Sequence, residues 1–215
     1  MASPGPPDTR RSPRASIREE NEVAILSAAE TVFAEYGFEG ATTSRIARLA
    51  GIPKANLHYY FPTKEDLYRR VLGRILHVWL EAADSFDACD SPVEALTGYI
   101  HAKMDLSRSH PMASKVWANE VIHGASMIQD YLEGELTAWT DSRKAILLRW
   151  QEEGRIAKVD PAYLLYMIWA TTQHYADFGH QVATLNGGQR LSDAQFEQAK
   201  ADVTTIILRG IGAIE

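Results

Sequence analysis

A single cysteine, Cys89, stands in a chain of 215 residues. One thiol closes no disulfide within the chain and offers no second sulfur to a metal, which fits a reducing compartment. Long apolar runs are missing too: none approaches the roughly 18 to 20 residues that cross a bilayer. The opening segment, MASPGPPDTRRSPRAS, has no apolar block of a secretory signal. A cytoplasmic location with no membrane association is therefore expected. His77, His101, His110 and His123 do not pair with carboxylates at metal spacing, and no phosphate-binding loop, dinucleotide fingerprint or nucleophile elbow occurs. No metal, cofactor or catalytic residue is expected. The alternation of apolar and polar residues that marks strands survives nowhere, and no repeat at a fixed period is visible.

What is present is an ordinary globular composition, 46% hydrophobic and 23% charged, long enough to bury a core. The net charge of -6 hides an asymmetry. Residues 1–75 hold 11 basic against 9 acidic residues, and the remainder holds 11 against 19. A basic front suits a module that meets a polyanion while the rest does something else. Chance fluctuation gives the same split.

Residues 1–16, rich in Pro, Ser and Gly with Arg10, Arg11 and Arg14, cannot bury enough apolar surface to offset ordering entropy, and are expected to form a disordered basic arm. From there apolar residues recur at three and four, the helical period. Ile25, Leu26, Ala29, Val32, Phe33 and Tyr36 make one stripe, and Gly37 stands where a helix ends, so the first helix spans about 20–36. Thr42 or Thr43 caps a second through SRIARLA, stopping at Gly51; Ile52 and Pro53 turn the chain into a third, KANLHYY. Thr63, with Asp66 three residues on, caps a fourth that reaches roughly 86. Ser91-Pro92, His110-Pro111, Gly124, Gly154 and Asp160-Pro161 mark off later helices, the last over about 193–209. The fold predicted is all-α: a small three-helix front domain over 17–62, then a larger antiparallel helical bundle over 63–215.

Two short helices across a tight Gly turn, with a third as support, form a helix-turn-helix, whose second helix enters the DNA major groove. Ile46, Ala47, Ala50 and Leu57 are small or apolar where the two must touch, leaving Lys54, Asn56, His58 and Tyr59 outward. Lysine and tyrosine bond phosphates, and asparagine can pair with an adenine edge. Spacing alone fits an ordinary three-helix corner equally well.

The stretch FAEYGFEGATTSRIARLAGIPKANLHYYFPTKEDLY, 33–68, closely resembles the DNA-binding domain of the TetR family of transcriptional repressors. The resemblance implies a homodimer reading a palindromic operator in double-stranded DNA, with Thr42, Thr43, Lys54, Ala55, Asn56, His58, Tyr59 and Tyr60 at the interface and Lys64 near a backbone phosphate. It also implies a rear domain that dimerises through its last two helices, about 161–182 and 193–209, and holds an effector pocket.

In that rear domain Trp169, Gln173 and Asp177 fall at i, i+4 and i+8, along one helix face, and Trp79 late in the fourth helix could approach it. Two indoles with a carboxamide and a carboxylate between them suit a small flat heterocycle with an alternating N–H and C=O edge, such as uracil. HVWLEAADSF, SRSHPMASKVW and VDPAYLLYMIWATTQHYADFGHQV are similar to the pyrimidine-responsive branch of the family, which releases DNA when uracil or thymine binds. By that resemblance Trp79, Trp169, Gln173 and Asp177 line the effector pocket. The likeness fades over 118–135, which leaves those pocket walls open. Other effectors, a purine, an amino acid or an aromatic compound, fit the TetR pattern as well. Gln173 and Asp177 could instead be buried partners in the dimer interface, and His174 reads best as a satisfied bundle histidine. An enzyme using His174 and Asp177 as acid and base would leave the front module without purpose.

Overall fold

The computed structural model describes residues 13–82, 86 and 89–215; the basic arm expected over 1–16 lies mostly outside them. The described chain falls into two compact units that divide between Tyr68 and Arg69. Among the described residues all regular structure is helical.

The first unit is built from α1 (Pro13–Gly40), α2 (Thr43–Leu49), α3 (Lys54–Tyr60) and the start of α4 (Lys64–Glu81). α1 begins earlier than its apolar period suggests and bends at Gly37, whose φ of 67° lies in the left-handed region that glycine tolerates. Ile25, Leu26, Ala29, Val32 and Phe33 are buried as the stripe requires. Tyr36 departs from it, being 41% exposed. The Arg45 guanidinium lies 3.8 Å from its ring centroid, so its face covers a cation rather than the core. Thr42 is the α2 cap, accepting from the Arg45 amide at 3.2 Å. Gly51, φ 70°, makes the turn into α3. Ile46, Ala47 and Leu57 are buried between the helices, and Phe33 and Phe38 pack on Tyr68 with centroids 4.7 and 4.9 Å away. Thr63 caps α4 as expected: its hydroxyl accepts from the Asp66 amide at 3.0 Å and donates to Asp66 Oδ2 at 2.7 Å.

The second unit continues with α5 (Pro92–Ser109), α6 (Pro111–Ile122), a turn at Gln129–Tyr131, a π-helical turn at Leu132–Leu136, α7 (Thr137–Glu152), α8 (Pro161–Asp177), α9 (Gly179–Leu185) and α10 (Asp193–Gly210). Each predicted breaker acts where it stands. Ser91 and Asp160 cap α5 and α8 with Pro at the first turn, and Gly124 and Gly154 take positive φ. α8 packs against α5, α6 and α7, and α10 packs against α5. Their core joins Phe86, Tyr99, Trp150, Leu165, Ile168 and Phe196.

The helix expected over 161–182 is two helices. It breaks at Phe178, φ -107° and ψ 25°, before α9. Gly179 is a poor helix former, and Asp177 is a carboxylate at the negative end of the α8 dipole, so nothing local favours continuing the helix. No described helix is long and apolar enough to cross a membrane.

Candidate functional site

α3 presents Lys54, Ala55, Asn56, His58 and Tyr59 exposed, and Thr42 is exposed at the start of α2. Tyr59 is 72% exposed, its ring meeting that of Tyr60 edge to face at 5.4 Å. Thr43 is half-buried. Four of the candidate DNA-contacting residues have internal bonds: Thr42 caps α2, His58 Nδ1 lies 3.3 Å from the Pro62 carbonyl, and Tyr60 and Lys64 reach α1. The Tyr60 hydroxyl accepts from Asn21 Nδ2 at 3.3 Å, tying α3 to α1. Lys64 Nζ donates to the carbonyls of Phe38 at 2.8 Å and Ala41 at 3.4 Å, and sits 4.2 Å from the Phe38 ring centroid. In this arrangement it closes the end of α1.

In the second unit a cavity of about 810 Å³ is lined by Trp79, Trp169, Gln173 and Asp177 together. The i, i+4, i+8 face of α8 faces that space, and α4 brings Trp79 to it. Most of the remaining wall is apolar, from Leu76, Leu80, Trp117, Val121, Leu136 and Trp139. The segment 118–135, which the resemblance left open, contributes Ala118, Val121, Ile122 and Leu132. Leu132 and Leu136 come from the π-helical turn.

The aromatic groups hold one another. Trp79 and Trp117 meet edge to face at 5.4 Å, and Trp169 is flanked by Tyr166 at 5.6 Å and Trp139 at 6.3 Å. Trp169 Nε1 donates to the Tyr99 hydroxyl at 2.6 Å, so the indole N–H is engaged and its ring face is what remains for a ligand. Burial pushes the Tyr99 hydroxyl up, keeping it neutral.

Asp177 Oδ1 accepts from Ser114 Oγ at 2.5 Å. Burial raises the Asp177 carboxyl, while the Ser114 hydrogen bond and the charges of Lys103, Lys115 and His174 hold it down. Gln173 has no hydrogen-bond partner among the described residues, and its carboxamide borders the cavity. Lys103 is 4% exposed on α5 and also borders the cavity. Its Nζ lies 4.3 Å from the Trp79 ring centroid. Burial pushes its ammonium down to about 8, with Asp177 pulling the other way.

Sequence reasoning missed Lys103 and Ser114. For Lys103 a signal was there: Leu96, Tyr99, Ile100, Lys103 and Met104 share the buried face of α5, so a lysine occupies a core position. His174 is exposed and lies outside the cavity lining, its ring stacked on Phe178 at 5.0 Å. It belongs to an outward face of α8 with Tyr163, Tyr166, Met167 and Phe178, which are 46 to 70% exposed.

Residues 25–71 match the family described as bacterial regulatory proteins, tetR family, and residues 72–214 match the YcdC-like protein, C-terminal region. The HTH-type transcriptional regulator RutR of Escherichia coli (strain K12) is 43% identical over 188 residues, covering 87% of this chain and 89% of the relative. Among solved structures, the ketosteroid transcriptional regulator KstR2 of Mycobacterium tuberculosis superposes with a TM-score of 0.71 at 23% identity, covering 88% of this chain and 94% of that one. A TetR family transcription regulator from Marinobacter aquaeolei VT8 does so with a TM-score of 0.70 at 19% identity, covering 89% and 97%. At those identities the two structures speak for the fold alone.

Proposed function

We propose a function for a chain that belongs to the TetR family of bacterial regulatory proteins: as a cytoplasmic homodimer it represses transcription from a palindromic operator, and it leaves the DNA when a uracil- or thymine-like pyrimidine fills the cavity. The chain is a transcriptional regulator and not an enzyme, like RutR. The observation that carries the effector reading is the meeting of Trp79, Trp169, Gln173 and Asp177 in one cavity. The indole faces stack a flat ring, the Gln173 carboxamide offers both a donor and an acceptor, and Asp177 accepts from a ring N–H. The resemblance of VDPAYLLYMIWATTQHYADFGHQV to the pyrimidine-responsive branch of the family supports the same class of ligand.

The homodimer reading draws support from the outward face of α8, where Tyr163, Tyr166, Met167 and Phe178 are exposed along one side; Leu185 on α9 and Ile206 on α10 are exposed as well, 81 and 69%. Large apolar side chains clustered on one surface are the mark of a protein interface. Dimerisation also answers the specificity problem. A short helix makes few base contacts, each discriminating by about 1 to 3 kcal/mol, and a second half-site doubles them. α3 is the reading helix, with Lys54, Asn56, His58 and Tyr59 toward DNA and Thr42, Thr43, Ala55 and Tyr60 supporting it. Lys64 acts by holding the end of α1, close to the backbone phosphate that the family resemblance assigns it.

α4 runs unbroken from Lys64 to Glu81 and carries Trp79 on its last turns. A ligand that draws Trp79 inward moves this helix, and with it the reading heads. It succeeds only by binding the DNA-free form more tightly, by about 1.4 kcal/mol for each tenfold loss of operator affinity.

A second reading is favoured by the size and apolar wall of the cavity, about 810 Å³: a larger aromatic compound would fill more of it than a single-ring base. One experiment separates the two. An operator selected from random DNA by the protein is titrated in the presence of uracil, thymine, purines and larger aromatics. Operator affinity unchanged by saturating uracil and thymine would sink the pyrimidine reading.

A further inference from the structure

Lys103 is a core lysine in a cavity wall, and nothing in the preceding assignment uses it. Its side chain is 4% exposed, and its ammonium makes no hydrogen bond among the described residues. What it has is the Trp79 face, 4.3 Å from Nζ to the ring centroid, and the charge of Asp177. A cation over an indole gains about 2 kcal/mol when desolvated. That leaves three N–H donors without acceptors, and a buried ammonium in that state is costly. The group that completes the site is an oxygen from outside the chain.

We infer that Lys103 donates to a ring carbonyl oxygen of the effector, beside the N–H that Asp177 accepts, so that the cavity demands an edge on which C=O stands next to N–H. This rests on the pyrimidine reading above and deepens it. Lysine only donates, and an ionised carboxylate only accepts. Ser114 occupies Asp177 Oδ1, which leaves Oδ2 for the ligand. The complementary edge is therefore C=O next to N–H, as in uracil and thymine, where N3–H lies between two carbonyls. Cytosine offers that edge once, at N1–H and C2=O, because its N3 is bare beside an amino group, whereas uracil offers it on both sides of N3–H as well. Gln173 can reorient its amide to suit either ring, so it does not discriminate. Burial pushes the Lys103 ammonium down to about 8, the direction expected where no protein oxygen takes its protons.

The test is calorimetric titration of the full chain and its Lys103→Met variant with uracil, 2-thiouracil and 4-thiouracil, beside operator binding and melting of both proteins. Uracil affinity should fall about 10- to 100-fold in the variant, the range for a lost charged hydrogen bond. One thio isomer should bind less tightly than the other, because sulfur is the weaker acceptor, and that difference should vanish in K103M. Equal uracil affinity in the two proteins overturns the role of Lys103 and leaves the pyrimidine reading standing. Failure of the wild type to bind uracil overturns both. Should K103M not fold, the wild type decides: equal affinity for uracil and both thio isomers overturns the assignment.

Discussion

Ser114 donates to Asp177 Oδ1 at 2.5 Å across 63 residues of sequence, fastening α6 to the last turn of α8. The bond orients a carboxylate that both burial and the α8 dipole disfavour. It thereby joins the packing of the bundle to a group that lines the cavity.

Asp177→Asn should weaken pyrimidine binding by about tenfold or more, with operator binding and dimerisation intact. Ser114→Ala should do the same more mildly, since the carboxylate remains but is less well held. Calorimetry with uracil, beside sedimentation of each variant, checks both. A variant that dissociates the dimer would place Asp177 in the interface instead.

Tyr99→Phe should destabilise the second unit. It removes the acceptor of Trp169 Nε1, 2.6 Å away, and an unsatisfied buried donor costs about 1 to 3 kcal/mol. Urea denaturation gives the number directly; a loss near zero would mean that the indole finds another acceptor.

His58→Ala and Tyr59→Ala should abolish operator protection while the melting of the protein stays near wild type, because both side chains are exposed. Lys64→Ala is expected to behave differently. Its ammonium closes the end of α1 through the Phe38 and Ala41 carbonyls, so stability and DNA affinity should fall together. Footprints retained by the α3 variants would move the reading surface elsewhere.

Lys103 gives stability a dependence on pH with a definite sign. Its folded value, about 8, lies below the roughly 10.4 of a free lysine. Between those values the unfolded chain holds more protons than the folded one, so this contribution to stability rises with pH across that window. Lys103→Met removes the dependence. The stability advantage of K103M over wild type should be largest below pH 8 and shrink toward pH 10, measured by paired denaturation curves. Asp177, shifted upward from the ordinary carboxylate range, gives the opposite slope, a loss of stability as pH rises through that range.

Exchanging Met167 or Ile206 for Asp should convert a dimer to monomers and abolish operator binding while leaving each chain folded. Both side chains are exposed, so a new charge meets only water in the single chain but an apolar surface in the proposed pair. Sedimentation equilibrium reads the outcome. A variant that remains dimeric rules out that face.

Local chemistry was legible in the sequence. Glycine and proline placed the ends of α1, α2, α5, α6 and α8, because backbone freedom and a missing N–H act wherever the residue stands. The period of three and four told which residues of one helix share a face, which was enough to bring Trp169, Gln173 and Asp177 together. Periodicity says nothing about what that face meets. Only the tertiary structure decided that Ser114 would bond Asp177, that Tyr99 would take the Trp169 N–H, that Lys64 would close α1, and that a lysine in the apolar stripe of α5 would open on the same cavity. Each of these joins groups far apart in the chain, and their meeting depends on the packing of several helices at once.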